Sequence, residues 1–163
     1  MPRVSEISDS KPMQSAPSSE RVHIAIFGRC NAGKSTLVNR LTGQDVAIVS
    51  PVAGTTTDPV QKAIEINGLG AAILIDTPGL DDNTLLGAER VARSAKVLDK
   101  TDIAIILFTE AGGENELRLM EECRIREIPT LIALAHIDRL ENHEAIKEEL
   151  ARVTNRDVVA ISA

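Results

Sequence analysis

Two hydrophobic rhythms alternate along this chain. Short unbroken apolar runs cover 21–27, 71–75, 102–109, 130–135 and 157–161, and 60–66 alternates apolar with polar. These lengths and patterns predict strands, with Asn67-Gly68 as a hairpin turn between 60–66 and 71–75. Between them lie stretches of helical spacing: 34–41, closed by Gly43; 84–98, with Leu85, Ala88, Val91, Ala95 and Leu98 on one face; 114–127, with Leu117, Met120 and Ile128 inward; and the charged 141–153. The charges on these helices read as their solvated faces. Strands alternating with helices predict an α/β, mostly parallel, doubly wound sheet of about six strands, with any site at the strands' carboxyl ends.

Two stretches fall outside this rhythm. Residues 1–20 are rich in Ser and Pro with too little apolar area to offset ordering, and are expected to be a flexible leader before a single domain at 21–163. Residues 44–58 form a long connection in which Pro51 and Gly54 break any element. Connections of that length usually serve a function.

Composition narrows the picture. The 163 residues are 43% hydrophobic, yet include two Phe and no Trp or Tyr, so the core must be aliphatic, as suits buried parallel strands. The formal net charge is −6, with no basic stripe and almost no aromatic residue to stack on bases, which disfavours nucleic-acid binding. Cys30 and Cys123 lack metal or redox spacing and read as structural or incidental thiols, in keeping with a reducing cytoplasm. His23, His136 and His143 show no metal-ligand spacing. No apolar run is long enough to cross a bilayer, so neither a membrane nor a nucleic acid is an expected partner.

The chemistry-bearing stretch is Gly28 to Ser35, GRCNAGKS, between the first strand and the first helix. The pattern G-x-x-x-x-G-K-[ST] lets successive backbone N–H groups point at a polyphosphate, and a side chain at Gly33 would obstruct that approach. Lys34 supplies positive charge for β- and γ-phosphates, Ser35 a hydroxyl for Mg²⁺, and the following helix its positive dipole end. Gly28, Asn31, Ala32, Gly33, Lys34, Ser35 and Thr36 are therefore the nucleotide-binding positions of this segment. Downstream, the strand 71–75 ends in DTPG. Asp76 is placed to hold Mg²⁺ through water, and Gly79 to give its N–H to a γ-phosphate. The threonines 55–57 offer a further hydroxyl for Mg²⁺.

With these stretches read together, the sequence resembles the small G proteins of the TrmE and Era superfamily, and within it the GTPase domain of the FeFe-hydrogenase maturation factors (HydF). The residues that carry the resemblance are IFGRCNAGKSTLVNRLTGQDVAIVSPVAGTTTDPV at 26–60, IDTPGLDD at 75–82 and LDKTDIAIIL at 98–107; the HydF likeness rests on GQDVAIVS, GTTTDPV and GLDD. The resemblance implies a three-layer P-loop NTPase fold, GTP and GDP as ligands, and Mg²⁺ held by Ser35, Asp76 and Thr56, with Thr55 the alternative to Thr56. It also implies catalytic roles for Lys34, Thr56 and Gly79, and K⁺ held by Asn31 against the phosphates, offsetting charge on the bridge being broken. Leu80 stands where related G proteins carry a water-orienting glutamine, which implies slow intrinsic hydrolysis. Glu89 lies in a region where an acid–base group could sit, but a helix-surface glutamate is the simpler reading.

The sequence departs from the family in two places. The base-recognition pattern N-K-x-D is replaced by Ala135-His136-Ile137-Asp138; Asp138 can still accept from guanine, and Ser162-Ala163 matches the S-A motif whose alanine N–H meets the guanine oxygen. Loss of the Asn amide and Lys stem is expected to cost on the order of one to a few kcal/mol of binding. The family also continues with a further helix, so the domain is expected to be C-terminally incomplete, with a sheet flank uncovered and stability marginal. HydF relatives carry their iron–sulfur cluster and dimerisation domains beyond this segment, so no cluster ligand is assigned here. Hydrogenase maturation proteins are then the expected partners, and a homodimer would form through those further domains. The alternatives are a TrmE- or Era-like GTPase of tRNA modification or ribosome assembly, and a nucleotide-binding module that no longer hydrolyses.

Overall fold

The computed structural model describes residues 21–43, 50–51, 60–80, 87–111 and 113–162. In chain order the elements are β1 (Val22–Gly28), α1 (Lys34–Gly43), β2 (Ser50–Pro51), β3 (Val60–Ile66), β4 (Gly70–Asp76), α2 (Gly87–Leu98), β5 (Ile103–Phe108), α3 (Glu114–Ile125), β6 (Thr130–Leu134), a 3₁₀ turn (Ile137–Arg139), α4 (His143–Thr154) and β7 (Val158–Ala160). They build one sheet in the order β2-β3-β4-β1-β5-β6-β7. β4, β1, β5, β6 and β7 run parallel, while β2 and β3 pair antiparallel. The six expected strands are all present, and the two-residue β2 adds a seventh inside the stretch expected to hold no element. Pro51 is compatible with it because β2 is an edge strand, where a missing N–H leaves no ladder partner unsatisfied.

β1 explains why the centre of the sheet is so apolar. Its neighbours are β4 and β5, so both faces are covered, and successive residues serve opposite cores. Ala25 and Phe27 join Ile73, Ile75, Ile106 and Phe108 on the face packed by Val97, Leu98, Leu119, Cys123 and Leu150 from α2, α3 and α4. Ile24 and Ile26 join Leu74, Ile64 and Leu107 on the face packed by Val38 of α1. Leu131 and Val159 belong to this second face by register with Ala133, and each is 56% exposed.

α3 differs from its sequence reading. Leu117, Met120 and Ile128 only border the core, and the buried stripe runs Glu116, Leu119, Cys123. Glu116 thus breaks the rule that the helix charges face solvent. The described part of α2 begins at Gly87, its buried end being Val97 and Leu98; residues 84–86 of the expected helix lie outside the described residues.

The chain order reverses around β1. From β1 the chain passes to α1 and the β3–β4 side, and from β4 it crosses to β5 on the other side. In doubly wound sheets that reversal opens a crevice at the carboxyl ends of the two flanking strands. Ile26 is in register with Asp76, and Gly28 with Leu107, so the ends of β1, β4 and β5 meet there.

Candidate functional site

At the end of β1 the backbone folds back over its own lysine. Lys34 is buried, and its ammonium donates to the carbonyl oxygens of Gly28 at 3.0 Å and Arg29 at 2.7 Å. Ala32 N donates to Arg29 O, closing the turn, and Leu37 N to Gly33 O begins α1. Gly33 holds φ +93°, a region L side chains rarely adopt, so backbone conformation requires glycine here. Asn31 holds φ +59°, a conformation asparagine tolerates better than most. The loop leads directly into the N-terminus of α1, and a tight loop before a helix N-terminus is an arrangement that binds anions. Thr36 is exposed in the first turn of α1.

Asp76 closes the second side. The Ser35 hydroxyl donates to Asp76 Oδ2 at 2.6 Å, while Asp76 Oδ1 is buried without a hydrogen-bond partner. A hydroxyl and a carboxylate side by side, with a lone oxygen to spare, suit Mg²⁺, which takes one or two protein oxygens and fills its remaining positions with water and phosphate. Among the described residues no group of three or more His, Cys, Asp and Glu gathers elsewhere. The proposed metal residues Ser35 and Asp76 are therefore brought together. Thr55 and Thr56 lie outside the described residues.

The DTPG turn folds onto the loop. Thr77 donates its hydroxyl to Ile26 O at 2.7 Å, a tie that sequence reasoning missed because a buried threonine in a turn has no signature of its own. A Cβ on Gly79 would lie 2.3 Å from Cys30 Sγ and 2.7 Å from Cys30 N, so only glycine permits this approach. Leu80 N donates to Gly28 O at 3.0 Å, and the Leu80 side chain packs on the core. Glu89 is exposed on α2.

The third side carries the altered base-recognition pattern. Ala135 is fully buried, its N donating to Phe108 O at 2.8 Å. His136 stands at φ +59° and places Nε2 2.7 Å from the carbonyl oxygen of Asn31. A carbonyl only accepts, so Nε2 carries the proton and donates. His136 thus ties the base loop directly to the phosphate loop, a function sequence reading did not give it: only the loss of the lysine was visible there. Ile137 N donates to Ile161 O at 3.3 Å, which ties the 3₁₀ turn to the segment just before Ser162. The Asp138 carboxylate is 53% exposed and lies 3.9 Å from Arg139 Nε. Ala163 lies outside the described residues.

Arg29 ties the loop to two other parts of the chain. Its guanidinium meets Glu116 at 3.0 Å and Glu110 at 2.8 Å. The hydrogen bond that Arg29 donates to Glu116, reinforced by the charges of both carboxylates and opposed by burial, raises the Arg29 pKa above the ordinary arginine value.

A lysine caged by loop carbonyls with a serine–aspartate pair beside it, at the carboxyl ends of a doubly wound sheet, defines a P-loop nucleoside-triphosphate-binding domain. The model of the family described as 50S ribosome-binding GTPase matches residues 23–136. The tRNA modification GTPase MnmE of Dechloromonas aromatica is 40% identical over 99 residues, covering 58% of this chain and 21% of the relative. GTPase Der of Microcystis aeruginosa is 39% identical over 120 residues, covering 71% and 26%. Among solved structures, a variant of Era from Aquifex aeolicus bound to GDP·AlF₄⁻ superposes with a TM-score of 0.63 at 26% identity, covering 86% of this chain and 50% of that one. The chain belongs to this family: it is a P-loop GTPase domain of the TrmE, Era and Der type. It spans between a fifth and a third of the length of these curated relatives. No described helix is long and apolar enough to cross a membrane.

Proposed function

We propose that this domain binds GTP and GDP with Mg²⁺ and hydrolyses GTP slowly, as the nucleotide switch of a larger protein. The observation that carries the reading is the Ser35–Asp76 pair at 2.6 Å, next to a lysine already caged by its own loop. Lys34 would neutralise the β- and γ-phosphates, Gly79 would offer its N–H to the γ-phosphate, and Thr56 would complete the hydroxyl set. Mg²⁺ held by Ser35 and Asp76 would supply charge neutralisation at the phosphate oxygens. Leu80, packed on the core, has no polar group with which to orient a water, which supports a slow intrinsic rate. Asn31, exposed at the loop's mouth, supports a K⁺ site whose cation offsets charge as the bridge breaks.

For the biological setting we propose FeFe-hydrogenase maturation, on the sequence stretches GQDVAIVS, GTTTDPV and GLDD. A second reading, a GTPase of tRNA modification, is favoured by the 40% identity to MnmE. Single-turnover hydrolysis in KCl and NaCl tests the chemistry: faster hydrolysis in KCl is expected, and equal rates would remove Asn31's part. No binding of labelled GTP at micromolar protein would overturn the nucleotide reading itself. The reading frame downstream of codon 163 separates the two settings, because a cysteine and histidine cluster belongs with hydrogenase maturation.

A further inference from the structure

Glu116 is the most anomalous charge among the described residues. It occupies the buried stripe of α3 with Leu119 and Cys123, its side chain is 1% exposed, and Oε2 is buried with no hydrogen-bond partner. Burying a carboxylate is costly before pairing, and replacing a buried ion pair as a whole by apolar residues of similar volume is often neutral or stabilising. Stability alone therefore does not account for a glutamate here. The carboxylate also lies close against the turn before α3: a Cβ on Gly113 would sit 2.3 Å from Oε2, so a larger residue there would require the Glu116 side chain to shift.

What the carboxylate does touch is the phosphate loop. Glu116 Oε1 accepts from Arg29 Nε at 3.0 Å, and exposed Glu110, just past β5, takes Arg29 Nη1 at 2.8 Å. The planar guanidinium is therefore gripped from two directions, a geometry a lysine could not reproduce. The backbone of the same residue supplies the 2.7 Å acceptor for the Lys34 ammonium. Side chain and carbonyl belong to one residue, so the two ion pairs limit how far the backbone that carries this carbonyl can shift.

We infer that Glu116, assisted by Glu110, is a positioning residue for nucleotide binding: it holds Arg29, and through the Arg29 carbonyl it sets where the Lys34 amine stands in the phosphate loop. The inference rests on the reading that this loop binds a guanine nucleotide. It makes α3 a strut of the site, although no α3 side chain reaches a phosphate.

The test uses the full 163-residue chain, a fluorescent GDP analogue with Mg²⁺, and thermal melting followed by circular dichroism. Glu116→Gln is expected to weaken GDP binding by about tenfold, and Glu110→Gln, in an exposed position, by about twofold. The decisive variant replaces the ion pair by an apolar one, Arg29→Met with Glu116→Leu. This double variant is expected to melt at or above the wild-type temperature and still bind GDP about tenfold more weakly. A double variant that melts and binds like wild type would overturn the inference, since the pair would then be packing only. If the buried variants fail to melt cooperatively, Glu110→Gln decides: unchanged affinity in that folded variant overturns the positioning role, and the twofold loss supports it. A wild-type chain that does not bind the analogue at all would remove the nucleotide reading along with it, an outcome distinct from a binding wild type with unaffected variants.

Discussion

His136 offers a perturbation in which stability and ligand affinity must move in different orders. Its imidazole makes one hydrogen bond, 2.7 Å to Asn31 O, and its backbone sits at φ +59° and ψ 32°. The bond contributes on the order of 1 kcal/mol, while a residue with a Cβ in this left-handed conformation is strained by roughly 1–2 kcal/mol. His136→Ala removes the bond and keeps the strain, so it should lower stability by about 1 kcal/mol, or roughly 2–4 °C in melting temperature for a chain of this size. His136→Gly removes both. The relieved strain, reduced by about 0.5–1 kcal/mol of extra unfolded-chain entropy, roughly offsets the lost bond, and the glycine variant should melt close to wild type. Nucleotide affinity should follow a different order. Both variants free the base loop from the phosphate loop, and that loop must be re-ordered on binding; a loss of about 1 kcal/mol corresponds to roughly fivefold, and glycine, with more freedom to lose, should bind more weakly than alanine. Calorimetric titration of GDP alongside scanning calorimetry reads both orders. If affinity instead tracks melting temperature, with glycine binding like wild type, His136 does not link the two loops and the argument fails.

Other outcomes are as specific. Ser35→Ala and Asp76→Asn should each abolish most of the gain in GDP affinity that Mg²⁺ confers while leaving metal-free binding within about threefold, checked by titration with and without chelator. A thiol reagent should modify exposed Cys30 in the native protein and reach buried Cys123 only on unfolding; because Cys30 lies against Gly79, a bound GTP analogue should slow its labelling, as mass spectrometry of quenched samples would show. Burial, the main cause, pushes the Cys123 thiol above its ordinary value of 9.0, so its contribution to stability is fully present below that pH and is lost as pH rises through the folded value. Melting temperature should therefore fall more steeply as pH rises above 9.0 in wild type than in Cys123→Ala.

Much of the architecture was legible because it rests on periodicity. Residues 71–75 and 102–109 read as buried strands from their apolar runs alone, and β4 and β5 lie where expected. The phosphate loop was legible because its chemistry demands particular residues at fixed spacing, and Asp76 because it ends a strand. What could not be read were features set by contacts between distant parts of the chain. Glu116 carries the same charge as its exposed neighbours on α3, and only the fold shows that it faces Arg29, 87 residues away. His136 reads as a lost lysine until its ring is seen 105 residues from its partner. β2 escaped because two residues carry no period, and a proline within them argues against a strand unless the edge is known.

The cage around Lys34 bears on how quickly a ligand could be taken up. Its amine rests between two carbonyls of the same loop, so the cradle is braced by bonds the chain makes with itself. Ordering entropy for that turn is settled when the chain folds, and an arriving phosphate meets amides that need not be rearranged. Capture of nucleotide should therefore run near the rate of productive encounter, which leaves the length of its stay, set by escape, as the quantity that regulation of this domain can act upon.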